Sequence, residues 1–265
     1  MSLSPRQAFL DNIRPAELLL RVYRLLECDT IQTDGELVRA LRPLVHASPG
    51  EDLMLIYNEI FLGLVRESAQ IPQAAFKRTA LSNLLRQSVV AACTGLDTYL
   101  PSLLRANLPT VIEAKGREFF PQDNNLREYF KDLTFDLSET LRLLGDPHAT
   151  LYIANKILSL TSFKYLSSAK GVHAVGALLG LESPWDQIAG KLQREKRELM
   201  KVLEETTRRR NDIVHRADRP QSDPNGDPQE IGFAWTQQSV DTIKHICLAL
   251  DELVVQSMAQ LRQLQ

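Results

Sequence analysis

The amino-acid sequence predicts an all-α fold. Apolar residues recur at helical spacing along most of the chain, as in Leu18, Val22 and Leu25 near its start. Alternating strand patterns are nearly absent, and the one Asn-Gly pair, Asn225-Gly226, lies in a polar loop that contains proline. We therefore assign no sheet.

Helix-start signals help to place the predicted helices. Asp34 precedes a first turn, Pro147 opens the segment that follows it, and Ser183-Pro184 puts a proline at the first helical position. Between these signals the helices follow the apolar periodicity. The predicted helices span residues 6–27, 34–47, 51–69, 73–104, 108–115, 124–144, 148–168, 171–180, 184–217 and 235–264.

A domain boundary is predicted near Gln70-Ile71-Pro72, where short amphipathic helices give way to a long one. Residues 1–70 form an accessory helical module whose role the sequence does not indicate. Residues 71–265 form the main helical domain. No internal repeat at a solenoid period stands out, so a helical-repeat array is a minor alternative.

Composition limits the classes of function. The chain has 265 residues, 44% hydrophobic and 24% charged, which is ordinary for a globular protein with one large or two small cores. The net charge of -2 and the isoelectric point near 6.2 exclude the strong global basicity of a protein that coats nucleic acid. A local basic patch remains compatible with these values.

The cysteines and the amino terminus predict a cytoplasmic setting. Cys28, Cys93 and Cys247 lie far apart, within apolar helical patterns where cysteine acts as a small hydrophobic residue. The chain begins without an apolar leader, and no apolar run approaches the roughly 18 residues that span a bilayer. We therefore expect a soluble protein in a reducing compartment.

Charge is concentrated between Lys191 and Arg219, where ten basic residues stand against six acidic ones. Arg208, Arg209 and Arg210 are consecutive and repel one another, so a helix gains little stability from placing them together. A phosphate-rich partner would account for the run. The alternative is a charged, solvated end of a helix.

The residues that follow the arginines add a histidine to this surface. On an ideal helix Asn211 and His215 project from nearly the same face, and Arg208 is the next residue on that stripe. Arg210 lies about 140° around the helix from His215. Ile213 and Val214 are expected to face the core. The result is a polar, basic stripe that carries a histidine.

Histidine exchanges protons near neutral pH, and an arginine fork binds phosphate oxygens and stabilises developing negative charge. RNA cleavage uses both properties. A base removes the proton of the 2′-hydroxyl, the alkoxide attacks the adjacent phosphorus, and cations stabilise the phosphorane as the 5′-oxygen leaves. Because the ribose supplies the nucleophile, this reaction requires no metal or cofactor.

The stretch from Arg210 to His215 resembles the motif of the HEPN superfamily, an arginine and a histidine separated by four to six residues. The flanks are similar as well, with Trp185 opening the preceding long helix, Arg209-Arg210 before an asparagine, and a final long helix from Trp235. The resemblance is to the branch linked with toxin and phage-defence ribonucleases, RiboL-PSP-HEPN-like, and covers about residues 73–265. Residues 1–70 match no family that we can name.

This resemblance implies roles for particular residues. An acid from an earlier helix commonly approaches the motif in this family, and Asp97 is the matching residue, with a helix-surface aspartate as the alternative. His215 would be the general base or acid and Arg210 the phosphate clamp, with Asn211 and Asp97 as supporting polar residues. The expected RNA-backbone contacts are Arg208, Arg209 and Arg216.

The resemblance also implies partners and leaves two rival functions open. The expected substrate is tRNA or messenger RNA, the expected assembly is a homodimer with a shared cleft, and an antitoxin or a defence partner is possible. One rival is a HEPN-like module that binds RNA or assembles with proteins without catalysis. The other is a helical adaptor whose basic stripe contacts an acidic protein.

Other chemistry finds little support in the sequence. His46, His148, His173 and His245 are isolated, without a second ligand at the spacing of helical zinc sites, so we predict no metal site. Neither GxxxxGK nor GxGxxG occurs, so a nucleotide cofactor is not expected.

Overall fold

A computed structural model describes residues 3–28, 30–120, 124–163 and 165–263 and shows a mostly helical protein. Short 3-10 turns join several of the helices. The helices and strands are α1 (Pro5–Leu26), β1 (Thr30–Gln32), α2 (Glu36–Leu41), β2 (Leu53–Tyr57), β3 (Leu62–Arg66), α3 (Arg78–Lys115), α4 (Asn124–Arg127), α5 (Leu137–Leu143), α6 (Ala149–Ser159), α7 (Ala169–Leu178), α8 (Pro184–Leu192), α9 (Lys196–Arg216) and α10 (Phe233–Gln263).

The core is built around α3, on which α1, α9 and α10 pack. Helix α1 buries a stripe that includes Phe9, Ile13 and Tyr23, and the Phe9 ring lies 5.1 Å from that of Tyr99 on α3. Full burial of such side chains contributes roughly 1.5–3 kcal/mol each. The apolar stripe, more than helix propensity, therefore holds α1 in place.

Helix α3 is one continuous helix of 38 residues, whereas the sequence predicted two helices with a break after residue 104. Pro101 and Pro109 lie inside it. An internal proline costs a helix about 3 kcal/mol, because it removes a hydrogen-bond donor and crowds the preceding turn. Leu100, Leu104 and Leu108 are completely buried here, and their burial offsets that cost.

The prediction of no sheet was wrong. Strands β1, β2 and β3 form an antiparallel sheet in that order, with Ile31 opposite Ile56 and Leu55 opposite Leu64. The predicted helix at 51–69 is instead the β2–β3 hairpin. Its turn is built by Asn58. The side-chain oxygen of Asn58 accepts hydrogen bonds from the backbone amides of Ile60 and Phe61, both at 2.9 Å.

Other predicted helices are shorter than expected. The segment 34–47 contains α2 followed by a 3-10 turn, and 148–168 ends its helix at Ser159. The segment 184–217 is divided into α8 and α9 at Gln193, whose φ of 50° is left-handed and ends a helix. The segment 124–144 is likewise divided, into α4 and α5.

The first 70 residues take part in two kinds of packing. Helix α1 shares the main core with α3 and α10, whereas the sheet has two small clusters of its own, one around Val38 and Leu55 and one around Ile56 and Phe76. The boundary at residue 70 stays a prediction. Within the described ranges, no helix is both long and apolar enough to cross a membrane.

Candidate functional site

Helix α9 carries the whole arginine-to-histidine motif without a break. Its inner face buries Leu199, Leu203 and Ile213 against the core. Along a regular helix, Arg210 and His215 are about 7.5 Å apart in height and about 140° apart around the axis. The two side chains therefore leave α9 in different directions.

Arg210 points towards α3 and meets Asp97. Its Nη2 lies 2.9 Å from Oδ2 of Asp97, and both side chains are partly exposed. The hydroxyl of Ser167, in the loop before α7, donates to the other oxygen of this carboxylate. The structure thus brings Arg210 together with the acid that the sequence singled out, and it adds Ser167, which the sequence analysis did not consider.

Buried groups lie directly behind this ion pair. Cys93 is one turn before Asp97 on α3, and its burial raises the pKa of its thiol to about 12, although the positive charge of Arg210 acts in the opposite direction. The Nε of Arg210 is buried and has no hydrogen-bond partner among the described residues. The guanidinium is therefore held at the boundary between core and solvent.

His215 and Asn211 lie on the open side of α9. Both are exposed, and within the described ranges no hydrogen bond or ion pair engages either side chain. His215 is in the last turn of the helix. An exposed histidine at this position is accessible to a ligand.

Helix α9 ends in two residues with left-handed backbone, Ala217 with φ of 49° and Asp218 with φ of 63°. The amide of Asp218 donates to the carbonyl of Asp212 at 2.9 Å, which closes the last turn. Left-handed backbone is unfavourable for residues other than glycine, least so for aspartate and asparagine. The conformation is held by the interactions of the Asp218 side chain.

The carboxylate of Asp218 is 0% exposed and lies between two arginines. Arg86 Nε donates to Oδ2 at 2.7 Å, and Arg209 Nη2 donates to the same oxygen at 2.9 Å. Arg209 Nε also approaches Oδ1 to 2.6 Å, but without hydrogen-bond alignment. Both arginines donate to the carbonyl of Gln229. Arg209, predicted as an RNA contact, is thus engaged inside the protein.

The other two arginines predicted to contact RNA, Arg208 and Arg216, differ in whether they form ion pairs within the protein. Arg216 forms an ion pair with Asp212, four residues before it. Arg208 is exposed, with no ion pair among the residues described. Ile213 is buried as expected, whereas Val214 is 52% exposed and the expectation that it faces the core was wrong. Val214 lies on the outer surface of α9, beside His215.

No group of three or more histidine, cysteine, aspartate or glutamate side chains that could hold a metal ion occurs within the described part of the chain. The chain matches no family model, no curated protein and no solved structure. The resemblance to the HEPN superfamily therefore stays a prediction that depends on the motif and on the geometry around it.

Proposed function

We propose that the chain is a metal-independent endoribonuclease of the HEPN kind, with Arg210 and His215 as catalytic residues. The observation that supports this proposal most is the ion pair between Arg210 and Asp97, which joins the motif to an acid 113 positions away in sequence. Ser167 holds the other oxygen of that acid. An arginine placed in this way is oriented before a substrate arrives.

In this proposal His215 removes the proton of a 2′-hydroxyl, and the O2′ attacks the adjacent phosphorus. The bond from phosphorus to O5′ breaks, and a protonated histidine supplies the proton that the leaving oxygen requires. Arg210 stabilises the charge of the phosphorane. The products are a 2′,3′-cyclic phosphate and a 5′-hydroxyl, and no step consumes water, a metal or a cofactor.

The directions of Arg210 and His215 support a homodimer. Arg210 faces α3 while His215 faces solvent, so a single α9 does not present both groups directly to one phosphate. Two copies of the carboxyl end of α9 facing each other would place the histidine of one protomer near the arginine of its partner. The exposed Val214 would be covered in such an arrangement.

The biological setting is proposed from the resemblance alone. It suggests tRNA or messenger RNA as substrate, a cytoplasmic toxin or antiviral role, and an antitoxin or a defence partner that controls the activity. Arg208 has no ion pair among the described residues, and it would contact the RNA backbone.

The direct test replaces His215 by alanine and uses His245→Ala as the matched control, because His245 is an exposed histidine on α10 outside the motif. Loss of a general acid-base group lowers the rate by about 10²- to 10⁴-fold. We expect this loss for His215→Ala in a gel assay of RNA cleavage in EDTA, with an unchanged melting temperature. The control should cleave like the wild type.

A 2′-deoxy substitution at the scissile nucleotide tests the nucleophile, because it removes the attacking oxygen. The substituted RNA should stay intact. Its efficient cleavage, or full activity of well-folded His215→Ala, would refute the proposal.

A second candidate is a HEPN-like module that binds RNA or proteins without cleaving RNA. It is favoured by the observation that Arg210 faces α3 while His215 faces solvent, so a single chain does not present both groups to one phosphate. Purified protein would then shift the mobility of RNA and produce no fragments. Discrete fragments that depend on His215 would exclude this candidate.

A further inference from the structure

The loop before α7 places an exposed aromatic ring close to the candidate site. Tyr165 is 80% exposed. It precedes Ser167 by two residues, and Ser167 contacts the carboxylate that holds Arg210. Two residues of extended chain span at most about 7 Å. Tyr165 is therefore tied by a short segment to the Asp97–Arg210 pair.

Tyr165 forms one wall of a cleft of about 420 Å³. This volume lies within the range of small-ligand pockets, roughly 300–1,000 Å³. The other residues that line the cleft are Glu128, Tyr129, Lys131, Asp132, Thr161, Ser162 and Lys170. Two lysines face two carboxylates, so the formal charges of the lining cancel. Such a cleft suits a neutral planar group better than a phosphate.

Interactions within the protein hold most of this cleft in place. Lys131 donates to Glu128 at 2.6 Å, Ser162 donates to the carbonyl of Tyr129 at 2.6 Å, and the Lys170 ammonium lies 5.9 Å from the centre of the Tyr129 ring. Among the described residues, no ring or cation is stacked on Tyr165. One face of the cleft is thus an unoccupied aromatic surface.

Lys170 is shared with a second cleft of about 670 Å³, which lies along α9 at Met200 and Glu204. On a regular helix these two residues lie on the same face as Asn211 and His215. The two clefts adjoin at Lys170, and His215 lies on the same face of α9, about 16 Å beyond Glu204 at 1.5 Å per residue. Arg208, which has no ion pair among the described residues, is four residues beyond Glu204 on α9, where it can bind phosphate.

We propose that Tyr165 is the stacking platform for an unpaired nucleobase of the RNA, with the base in the cleft beside Lys170 and the adjoining phosphate at α9. The inference rests on the proposed function, since it takes RNA as the ligand. Stacking on an aromatic side chain is tolerant of base identity, because every base has a π face. Tyr165 in this role binds substrate and takes no part in proton transfer.

The test measures binding without cleavage. The probe is a fluorescein-labelled single-stranded RNA of mixed sequence with 2′-O-methyl riboses, which cannot form the attacking alkoxide, and the readout is fluorescence anisotropy with the full chain. Alanine substitution of a base-stacking aromatic weakens binding by about 5- to 150-fold. We expect this range for Tyr165→Ala. Tyr165→Phe should bind like the wild type, whereas Tyr165→Leu should resemble the alanine variant.

A Tyr165→Ala variant that binds the probe as the wild type does would overturn the inference and would leave Tyr165 as a contact for another partner. Equal binding by the leucine and phenylalanine variants would overturn it as well, because stacking would then not be required. The outcome is separable from the proposed nuclease activity. Loss of binding in Tyr165→Ala together with undiminished cleavage in His215→Ala would keep the stacking site and reject the catalytic assignment.

Discussion

Arg209 and Arg210 are neighbours on α9, yet they pair with carboxylates in different environments. Arg209 reaches the buried carboxylate of Asp218 and helps to fasten the end of the helix, whereas Arg210 reaches the partly exposed Asp97 on α3. Successive residues on a helix point about 100° apart, so a run of arginines contacts different parts of the protein. A basic run in the sequence is therefore not a single binding surface.

The largest expected effect on stability concerns the buried carboxylate of Asp218, which pairs with Arg209. Asp218→Ala would leave Arg86 and Arg209 without their carboxylate, and breaking one partner of a buried charge pair costs about 3–5 kcal/mol. Urea unfolding should show this loss. Asp212→Ala removes the partly exposed pair with Arg216 and should cost about 1 kcal/mol. Equal losses for the two variants would contradict the structural role of Asp218.

Removal of the Ser167 hydroxyl, which contacts Asp97, should have a smaller effect. Ser167→Ala deletes one hydrogen bond to Asp97, and such a bond contributes about 0.5–1.5 kcal/mol. If this energy helps to orient Arg210, cleavage per folded molecule should fall by roughly 2- to 12-fold, with a melting temperature lowered by a few degrees. Ser168→Ala removes the cap of α7 instead and serves as the control, which should alter stability and leave cleavage per folded molecule intact. No change in cleavage for Ser167→Ala would remove Ser167 from the site.

The smallest expected effect is a gain in stability at the end of α9. Ala217 is exposed and left-handed, a conformation that glycine adopts without steric cost. Ala217→Gly should therefore stabilise the chain by about 0.5–1 kcal/mol, because relief of strain exceeds the added entropy of the unfolded state. Chemical denaturation would detect the change. A destabilised variant would show that the turn is not strained.

The helical part of the fold followed from periodicity, but the sheet did not. The run from Leu53 to Tyr57 is apolar at nearly every position, and such a short run fits a buried strand or a buried helix equally well. Asn58 favours the hairpin over a helix. Its side-chain oxygen closes the turn, and its side-chain amide donates to carbonyls at the end of α1, including that of Glu27. That second contact is tertiary and leaves no local pattern.

The candidate site was also predictable only in part, because some of its contacts are tertiary. The family resemblance pointed to Asp97 as the acid near the motif, with a helix-surface aspartate as the alternative, and Asp97 forms an ion pair with Arg210. Nothing in the sequence indicated that Asp218 would bind Arg209, because the pairing depends on the left-handed turn that follows α9. The exposure of Val214 was also hidden, since the sequence does not show which apolar positions of a helix end lie beyond the packed core.

The comparison of the two arginines gives the most direct test of the account. Arg209→Ala and Arg210→Ala are compared in single-turnover cleavage of RNA, with each rate normalised to the folded fraction measured by thermal melting. We predict that Arg210→Ala lowers the rate by about 10²- to 10³-fold, as expected for loss of a group that stabilises transition-state charge. Arg209→Ala should lower the melting temperature and leave the normalised rate within a few-fold of the wild type. A normalised rate that falls for Arg209→Ala and is unchanged for Arg210→Ala would contradict the account.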